Sequence, residues 1–505
     1  MSVLKKLAGE TVWYGLSQIL GRMVNFLLVP LYTNVFDASD FGIQNELYIY
    51  VAFLNVLYAY GMETTFFRYA SKSESDPQAI YNTVLSYIFV TTAVFSIILL
   101  IFAQPIATAL GYPTLSNFIV WLAIIIAIDA LLIIPYARLR IEHKAKQFAF
   151  TKLTNILVNI GLNVFFLYFC KNIYEGVFLA HLKPTIALVY DPKVGNIGYV
   201  IISNLIANAL VLILLYRSFL RFRFRFDWSA FRPMLVYAYP LMFMGFAGIS
   251  SQMLDTIMIK YFLPEGFYPG KNNQAVMGIY RACAKLAIFM NLIIQAFKYA
   301  ADPFFFSKAE NKNAPRLFAQ VMRYFIIVGS IFLVLIGLNL DIIMVILRKQ
   351  VFREAIGVVP FMLLGYLLFG VYTNLAVWFK LTDKTVYGIW LVVGGALLSI
   401  LLNYLLIPVI GYMGSAVAVL ATNLAMVVAS FLIGQKHFYV PYNVRSALLH
   451  LGLASTVMFV GQAIKFNDGV ISFLAHQLMF VVYVSLVLLI ERKEVIKLVN
   501  RLRRR

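Results

Sequence analysis

Apolar runs of about twenty residues follow one another along this whole chain, and no stretch between them is long enough to fold alone. As a helix, such a run spans about 30 Å, the thickness of a bilayer's hydrocarbon core. Lipid supplies no hydrogen bonds, so each crossing segment must satisfy its own backbone, which favours helices and excludes open sheets. Composition agrees: 62% of the 505 residues are hydrophobic and 13% charged, with a mean hydropathy of +0.83, outside the range of soluble domains. The expected class is an all-α polytopic membrane protein. Residues 1–10 carry Lys5 and Lys6, but the apolar segment behind them is too long for a signal peptide and has no small-residue cleavage site. Cys170 and Cys283 are too few for a disulfide framework and lack metal-ligand spacing.

The runs predict fourteen transmembrane helices, at 11–36, 43–65, 80–104, 114–136, 148–170, 196–217, 233–262, 274–299, 317–340, 357–380, 386–408, 412–434, 446–464 and 471–490. With the N-terminus in the cytoplasm, the even-numbered links are cytoplasmic too. Those links hold Arg68, Lys72, Arg138, Arg140, Lys144, Lys146, Arg217, Arg221, Arg223, Arg225, Arg232, Lys308, Lys312 and Arg316, and the tail adds Arg501, Arg503, Arg504 and Arg505. About 30 of the 42 Lys and Arg fall on that side, which places both termini in the cytoplasm. The net charge of +20 thus reflects topology, and nucleic acid is not an expected partner. The longest external link, 171–195, contains Pro184 and Pro192 and reads as an ordered loop or lid. In the basic linker, Arg221-Phe222-Arg223-Phe224-Arg225-Phe226 alternates strictly. Either it lies in the interface, with arginines on anionic lipid, or it is a plain orientation signal; the sequence leaves both open.

Landmarks recur between the two halves. Phe41-Gly42-Ile43 follows the first span and Met277-Gly278-Ile279-Tyr280 the seventh. Leu162-Asn163 matches Leu402-Asn403, and each leads to a Gly-x-x-Gly, Gly195–Gly198 and Gly411–Gly414. A six-span repeat inserts both copies in one orientation, related by an axis along the membrane normal around a central cavity. The expected organisation is an N-terminal lobe over 1–217 (helices 1–6), a basic cytoplasmic linker over 218–232, a C-terminal lobe over 233–434 (helices 7–12), and helices 13–14 with a basic tail over 435–505.

Three cations lie at membrane depth: Arg22, Arg281 and Lys285. Each costs about 2.5–3.5 kcal/mol near the bilayer centre, so a helix keeps one only with a partner or a wet cavity. Arg22 is about 16 Å into its helix, sharing a face with Gln18 and Asn25. Arg281 and Lys285, at i and i+4, are stacked on one helical face. Together they cost that helix about 6 kcal/mol, against about 4 at most from its apolar side chains, which makes a lipid-facing position unfavourable. Asp255 is at about the depth of Arg281 and either forms a salt bridge with it or belongs to the site. For Arg22 and Lys285 no midplane acid is evident, since Asp129 is nearer the cytoplasmic side and Glu63 is within reach of Arg68. These cations point to an internal anion site, and Asp255 and Asp129 are candidates for ion coupling. Asn159 with Asn163 and Asn204 with Asn208, at i and i+4, suit helix–helix packing. Pro30, Pro240, Pro360 and Pro408 suit kinks or helix ends. No Walker A, HExxH or GxSxG pattern is present, so neither an enzyme nor a cofactor is expected. Transport would draw on an H+ or Na+ gradient, or on the substrate's own.

Asp255-Thr256-Ile257-Met258 with Gly278-Ile279-Tyr280 and Lys285-Leu286 resembles the seventh-to-eighth helix signature of polysaccharide flippases. Leu381-Thr382-Asp383-Lys384-Thr385, Asn403-Tyr404-Leu405-Leu406-Ile407-Pro408 and Gly21-Arg22 through Phe41-Gly42 are similar to the same family. The resemblance is to the O-antigen and capsule branch of the multidrug/oligosaccharidyl-lipid/polysaccharide exporters and covers essentially the whole chain. It implies two lobes of a fourteen-helix flippase carrying a polyprenyl-diphosphate-linked oligosaccharide to the outer leaflet. Membrane lipids, a polysaccharide polymerase and glycosyltransferases would be its partners. In related lipid II flippases, arginines of the first and eighth helices contact the diphosphate; Arg22 and Arg281 match those places, while the additional first-helix arginines are missing here. Two rivals make other demands: a multidrug antiporter favours an acid-dominated cavity, and a membrane glycosyltransferase or polymerase needs a large external loop with a catalytic carboxylate.

Overall fold

A computed structural model describes residues 21, 23, 26–70, 76–308, 313–382, 384–464 and 469–492. The regular structure among them is helical, and the chain forms two compact units, Met1–Ile257 and Met258–Arg505. In the first are α1 (Leu28–Val35), α2 (Ala38–Ala59), α3 (Met62–Ala70), α4 (Pro77–Ile101), α5 (Ser116–Ile141), α6 (Ala145–Val164) and α7 (Gly195–Leu214). Helix α8 (Trp228–Phe262) begins there and ends in the second unit. The second unit continues with α9 (Asn273–Leu286), α10 (Ile288–Lys308), α11 (Ala314–Leu338), α12 (Val358–Leu375), α13 (Thr385–Ile410), α14 (Tyr412–His437), α15 (Val444–Ala463) and α16 (Gly469–Ile490).

Eleven helices among the described residues are long and apolar enough to cross a membrane. A twelfth results if α9 and the 288–298 part of α10, bent by 44°, are counted as one span. These segments coincide with the apolar runs expected from residue 80 onward. The first expected span, 11–36, falls largely outside the described residues. Helix α2 is not among the eleven; its opening turns carry Asp40, Gln44, Asn45 and Glu46.

Polar residues set the helix starts. Asp76 accepts the Gln78 N–H at 2.9 Å, with Pro77 at the first helical position. Asp37, Asn272 and Asn443 likewise accept the N–H groups of Asp40, Ala275 and Ser446. Each cap satisfies one of the amides that a helix start leaves without an internal partner. Within the first unit α4 packs on α5, and α6 and α7 on each other, with α5 also touching α7. Tyr60, Met62, Phe66, Tyr81, Leu85 and Phe231 form one of its buried clusters. In the second unit α14 lies against α12 and α13, while α11 lies against α15. Ile97 and Ile101 on α4, and Leu478 and Leu489 on α16, stay exposed. On helices of this length, such faces suit lipid.

The repeated Gly-x-x-Gly landmarks share a local geometry. Gly195 (φ +71°) starts α7, and Gly411 (φ +61°) immediately precedes α14. Both occupy the left-handed region that disfavours a side chain. The 171–195 link is ordered by short turns at Lys171–Tyr174, Ala180–Leu182, Lys183–Ile186 and Pro192–Val194. The Tyr199 hydroxyl closes it, accepting the Asp191 N–H at 2.6 Å.

Candidate functional site

In the first unit the polar residues form a stripe on α6 and its neighbours. Lys152, Asn155, Asn159 and Asn163 are spaced i, i+3, i+7 and i+11, which puts all four on one face. Asn155 Nδ2 donates to Asn208 Oδ1 on α7 at 2.7 Å, and Asn208 Nδ2 donates to Asp129 Oδ1 on α5 at 2.9 Å. Lys152 is within electrostatic reach of Asp129 and lies 4.1 Å from the centroid of the Tyr136 ring. One turn along α7, Asn204 Nδ2 donates to the Tyr48 hydroxyl of α2 at 3.2 Å. Further along the stripe, Tyr32 of α1 donates to Asn163 Oδ1 at 2.9 Å, and Asn163 Nδ2 to Asn159 Oδ1 at 3.0 Å. The asparagines do connect helices, and two of them, Asn155 and Asn208, lead in series to the Asp129 carboxylate.

Asp129 is deeper in its helix than the apolar run suggests. Helix α5 continues past Pro135 to Ile141, leaving Asp129 about 20 Å from one end and 18 Å from the other. Glu46, which carries no motif in the sequence, is fully buried in α2 and accepts hydrogen bonds from Tyr112 (2.5 Å) and Tyr50 (3.1 Å). Lys152 is equally inconspicuous in the sequence, because it lies near the end of its apolar run; the face it shares with Asn155, Asn159 and Asn163 is the signal that could have found it.

In the second unit the functional candidates are on α9. Asn272 caps its start, and Val276–Tyr280, Ala282–Ala284 and Leu286 bury it. Cys283 Sγ lies 3.0 Å from the Phe352 carbonyl. Arg281 and Lys285 interrupt this burial at one-turn spacing, each only partly buried. Arg281 Nε is enclosed by protein and has no hydrogen-bond partner among the described residues. Directly after Lys285 the helix bends by 44° into α10. No proline or glycine causes this. The Ala287 N–H bonds to Ala284 and the Met290 N–H to Ala287, both at 3.1 Å, so i→i+3 bonding replaces the α-helical pattern locally.

Asp255 belongs to the first unit, on α8, where it is 3% exposed and its Oδ1 lies 3.3 Å from Thr256 Oγ1. Arg22, Gln18 and Asn25 lie outside the described residues. A further charged cluster joins α11, α15 and the end of α16. Arg323 Nη2 is 2.5 Å from Glu491 Oε2, and His450 Nε2 is 3.0 Å from Glu491 Oε1, with His450 and Glu491 buried. It staples three helices and has the character of a structural ion pair.

Solved structures share this fold. One is the lipid II flippase MurJ in an inward closed conformation (TM-score 0.69, 14% identity, 96% of this chain and 100% of that one). Another is an inward-facing multidrug resistance transporter of the MATE family, in the MOP superfamily (TM-score 0.62, 10% identity, 82% and 94%). A third is the MATE multidrug transporter DinF-BH (TM-score 0.58, 15% identity, 87% and 97%). At these identities the likeness is one of fold. No curated protein matches the chain by sequence. The sequence model of the polysaccharide biosynthesis protein family matches residues 7–309, more than half the chain. With its many apolar helices, this multi-pass membrane protein belongs to the polysaccharide biosynthesis protein family.

Proposed function

We propose that the protein is a flippase that moves a polyprenyl-diphosphate-linked oligosaccharide from the cytoplasmic to the outer leaflet by alternating access, for surface polysaccharide synthesis such as O-antigen or capsule. The observation that carries this is on α9: two cations one turn apart at membrane depth, immediately before a 44° bend. Broken membrane helices are where transporters commonly place substrate. A diphosphate matches two adjacent cations in charge and size. Arg281 and Lys285 are assigned to hold it, with Arg22, Gln18 and Asn25 as further contacts on the first helix. The oligosaccharide needs only a polar, unspecific path, and the polyprenyl tail stays in lipid.

Asp129 is the favoured coupling residue for H+ or Na+, ahead of Asp255. It accepts a hydrogen bond from Asn208 and lies within reach of Lys152, so neutralising either charge would reorganise the chain of amides. The test uses cells in which this chain is the sole exporter of its glycan. Deletion should accumulate lipid-linked oligosaccharide on the cytoplasmic side. Arg22→Ala combined with Lys285→Ala, and separately Arg281→Gln, should fail to relieve that accumulation at wild-type membrane levels. Normal export by the double variant would refute the anion site. Export of organic cations with no lipid-linked intermediate accumulating would favour a multidrug antiporter instead.

A further inference from the structure

The Arg-Phe-Arg-Phe-Arg-Phe segment between α7 and α8 is neither a loop nor a helix. It runs extended along the first turns of α4, tied by a ladder of side chains. Gln78 Nε2 donates to the Arg221 carbonyl at 3.0 Å; the Arg223 N–H donates to Asn82 Oδ1 at 3.2 Å and the Arg225 N–H to Ser86 Oγ at 2.9 Å. Residues 78, 82 and 86 thus pair in order with 221, 223 and 225. The match is one of periods: two residues of extended chain advance about 6.6 Å, and four residues of helix about 6 Å. Because backbone groups make the ties at Arg221, Arg223 and Arg225, these three side chains stay exposed. Arg225 is 3.3 Å from Asp227, and among the described residues no ion pair involves Arg221 or Arg223.

The phenylalanines form the other edge of this strap. The Phe222 and Phe224 ring centroids are 4.8 Å apart, and those of Phe224 and Phe226 are 6.1 Å apart. Phe224 also touches Phe89 and Phe226 touches Tyr87, yet both phenylalanines remain 58% exposed. From Phe89 the apolar surface continues along α4 through exposed Val90, Val94, Ile97 and Ile101, spaced as one helical face. Cations at one end of an uninterrupted apolar track have the form of an anionic amphiphile: a phosphate for the arginines and an acyl chain for the track.

We propose that this strap is a binding site for an anionic phospholipid of the surrounding bilayer, its phosphate held by Arg221 and Arg223 and its acyl chain lying on Phe224, Phe226 and the exposed face of α4. Headgroup charge does the selecting, because each surface Lys or Arg contributes about 1 kcal/mol toward anionic lipid and nothing comparable toward a zwitterion.

The experiment uses the purified full-length chain in mild detergent, titrated with phosphatidylglycerol or phosphatidylcholine, while bound lipid is counted by native mass spectrometry and the thermal midpoint is followed. Phosphatidylglycerol should be retained and should raise the midpoint; phosphatidylcholine should do neither. R221Q/R223Q should weaken retention about 25-fold, or about fivefold per arginine, and leave the lipid-free midpoint unchanged because the backbone ties persist. F224S/F226S should weaken retention of long-chain phosphatidylglycerol, and of a short-chain phosphatidylglycerol much less, because only the long chain reaches along the apolar track. Equal retention of the two lipids by the wild type, or unchanged phosphatidylglycerol retention in R221Q/R223Q, would overturn the proposal. So would a strap that retains a polyprenyl diphosphate but not phosphatidylglycerol, which would assign the site to the carried lipid.

Discussion

Lys152 and Arg281 are both cations set into apolar helices, yet only Arg281 stands out in the sequence. Arg281 interrupts the middle of an apolar run, where a charge is hard to explain. Lys152 is within three turns of its helix start, where a lysine is ordinary. What marks Lys152 is its neighbours on the same face, and they acquire meaning only once α5 and α7 bring Asp129 and Asn208 to it. Asp129→Ala should lower the thermal midpoint, because Asn208 loses its acceptor in a buried setting at about 1–3 kcal/mol. Asp129→Asn keeps a side chain of the same shape, so it should hold the midpoint closer to wild type while abolishing any H+ or Na+ dependence of transport. Gly411→Ala should be severe. Its φ of +61° disfavours a side chain, and the new Cβ would meet the Tyr268 hydroxyl. Poor membrane accumulation of that variant, unrelieved by substrate, is the expected result. In the α5–α6 turn, burial pushes the Glu142 carboxyl up, but hydrogen bonds from Lys144 and Arg138 outweigh it and hold it below its ordinary 4.5. A lowered carboxyl stabilises the fold above its ordinary value and loses that contribution as pH falls through the lowered one. Amide exchange in 142–146 should therefore quicken relative to the intrinsic rate below about pH 4.5, and Glu142→Gln should remove that dependence.

Helices from residue 80 onward were legible because membrane thickness sets their length and loops must be polar. Their ends were less so. The apolar run of α5 fades near 136, but the helix carries Arg138 and Arg140 on to Ile141, since leaving lipid does not oblige a helix to stop. The strap was half legible. Alternation pointed to an extended or interfacial segment, but its register on α4 depends on Gln78, Asn82 and Ser86, about 140 residues earlier in the chain. Asn82→Ala with Ser86→Ala removes the acceptors for the Arg223 and Arg225 amides. Hydrogen exchange across 221–226 should then accelerate at least tenfold, corresponding to two lost bonds of about 1 kcal/mol each. Exchange in α7 should not change. Uniform acceleration across the first unit would instead mean that α4 itself had been damaged.

At the scale of the whole molecule, charge asymmetry makes the firmest claim of the sequence, and labelling tests it directly. In a variant with Cys170 and Cys283 replaced by serine, Ser218→Cys should react with an impermeant thiol reagent only after the membrane is opened. Thr185→Cys should react in intact cells. The opposite pattern would invert the topology and with it the assigned direction of transport. Family and fold fit the proposed flippase, while the sugar is left to residues lining its path. The bend after Lys285 has a bearing on how such a machine resets. A proline kink is permanent, whereas this one arises from a local tightening of hydrogen bonds at Ala287. Relaxing one residue from 3₁₀ to α geometry rotates the downstream helix by about 20° and shifts it by about 0.5 Å. The two charges just upstream, six and two residues before Ala287, would then be re-aimed with little change in bonding: a ratchet tooth that can disengage without breaking.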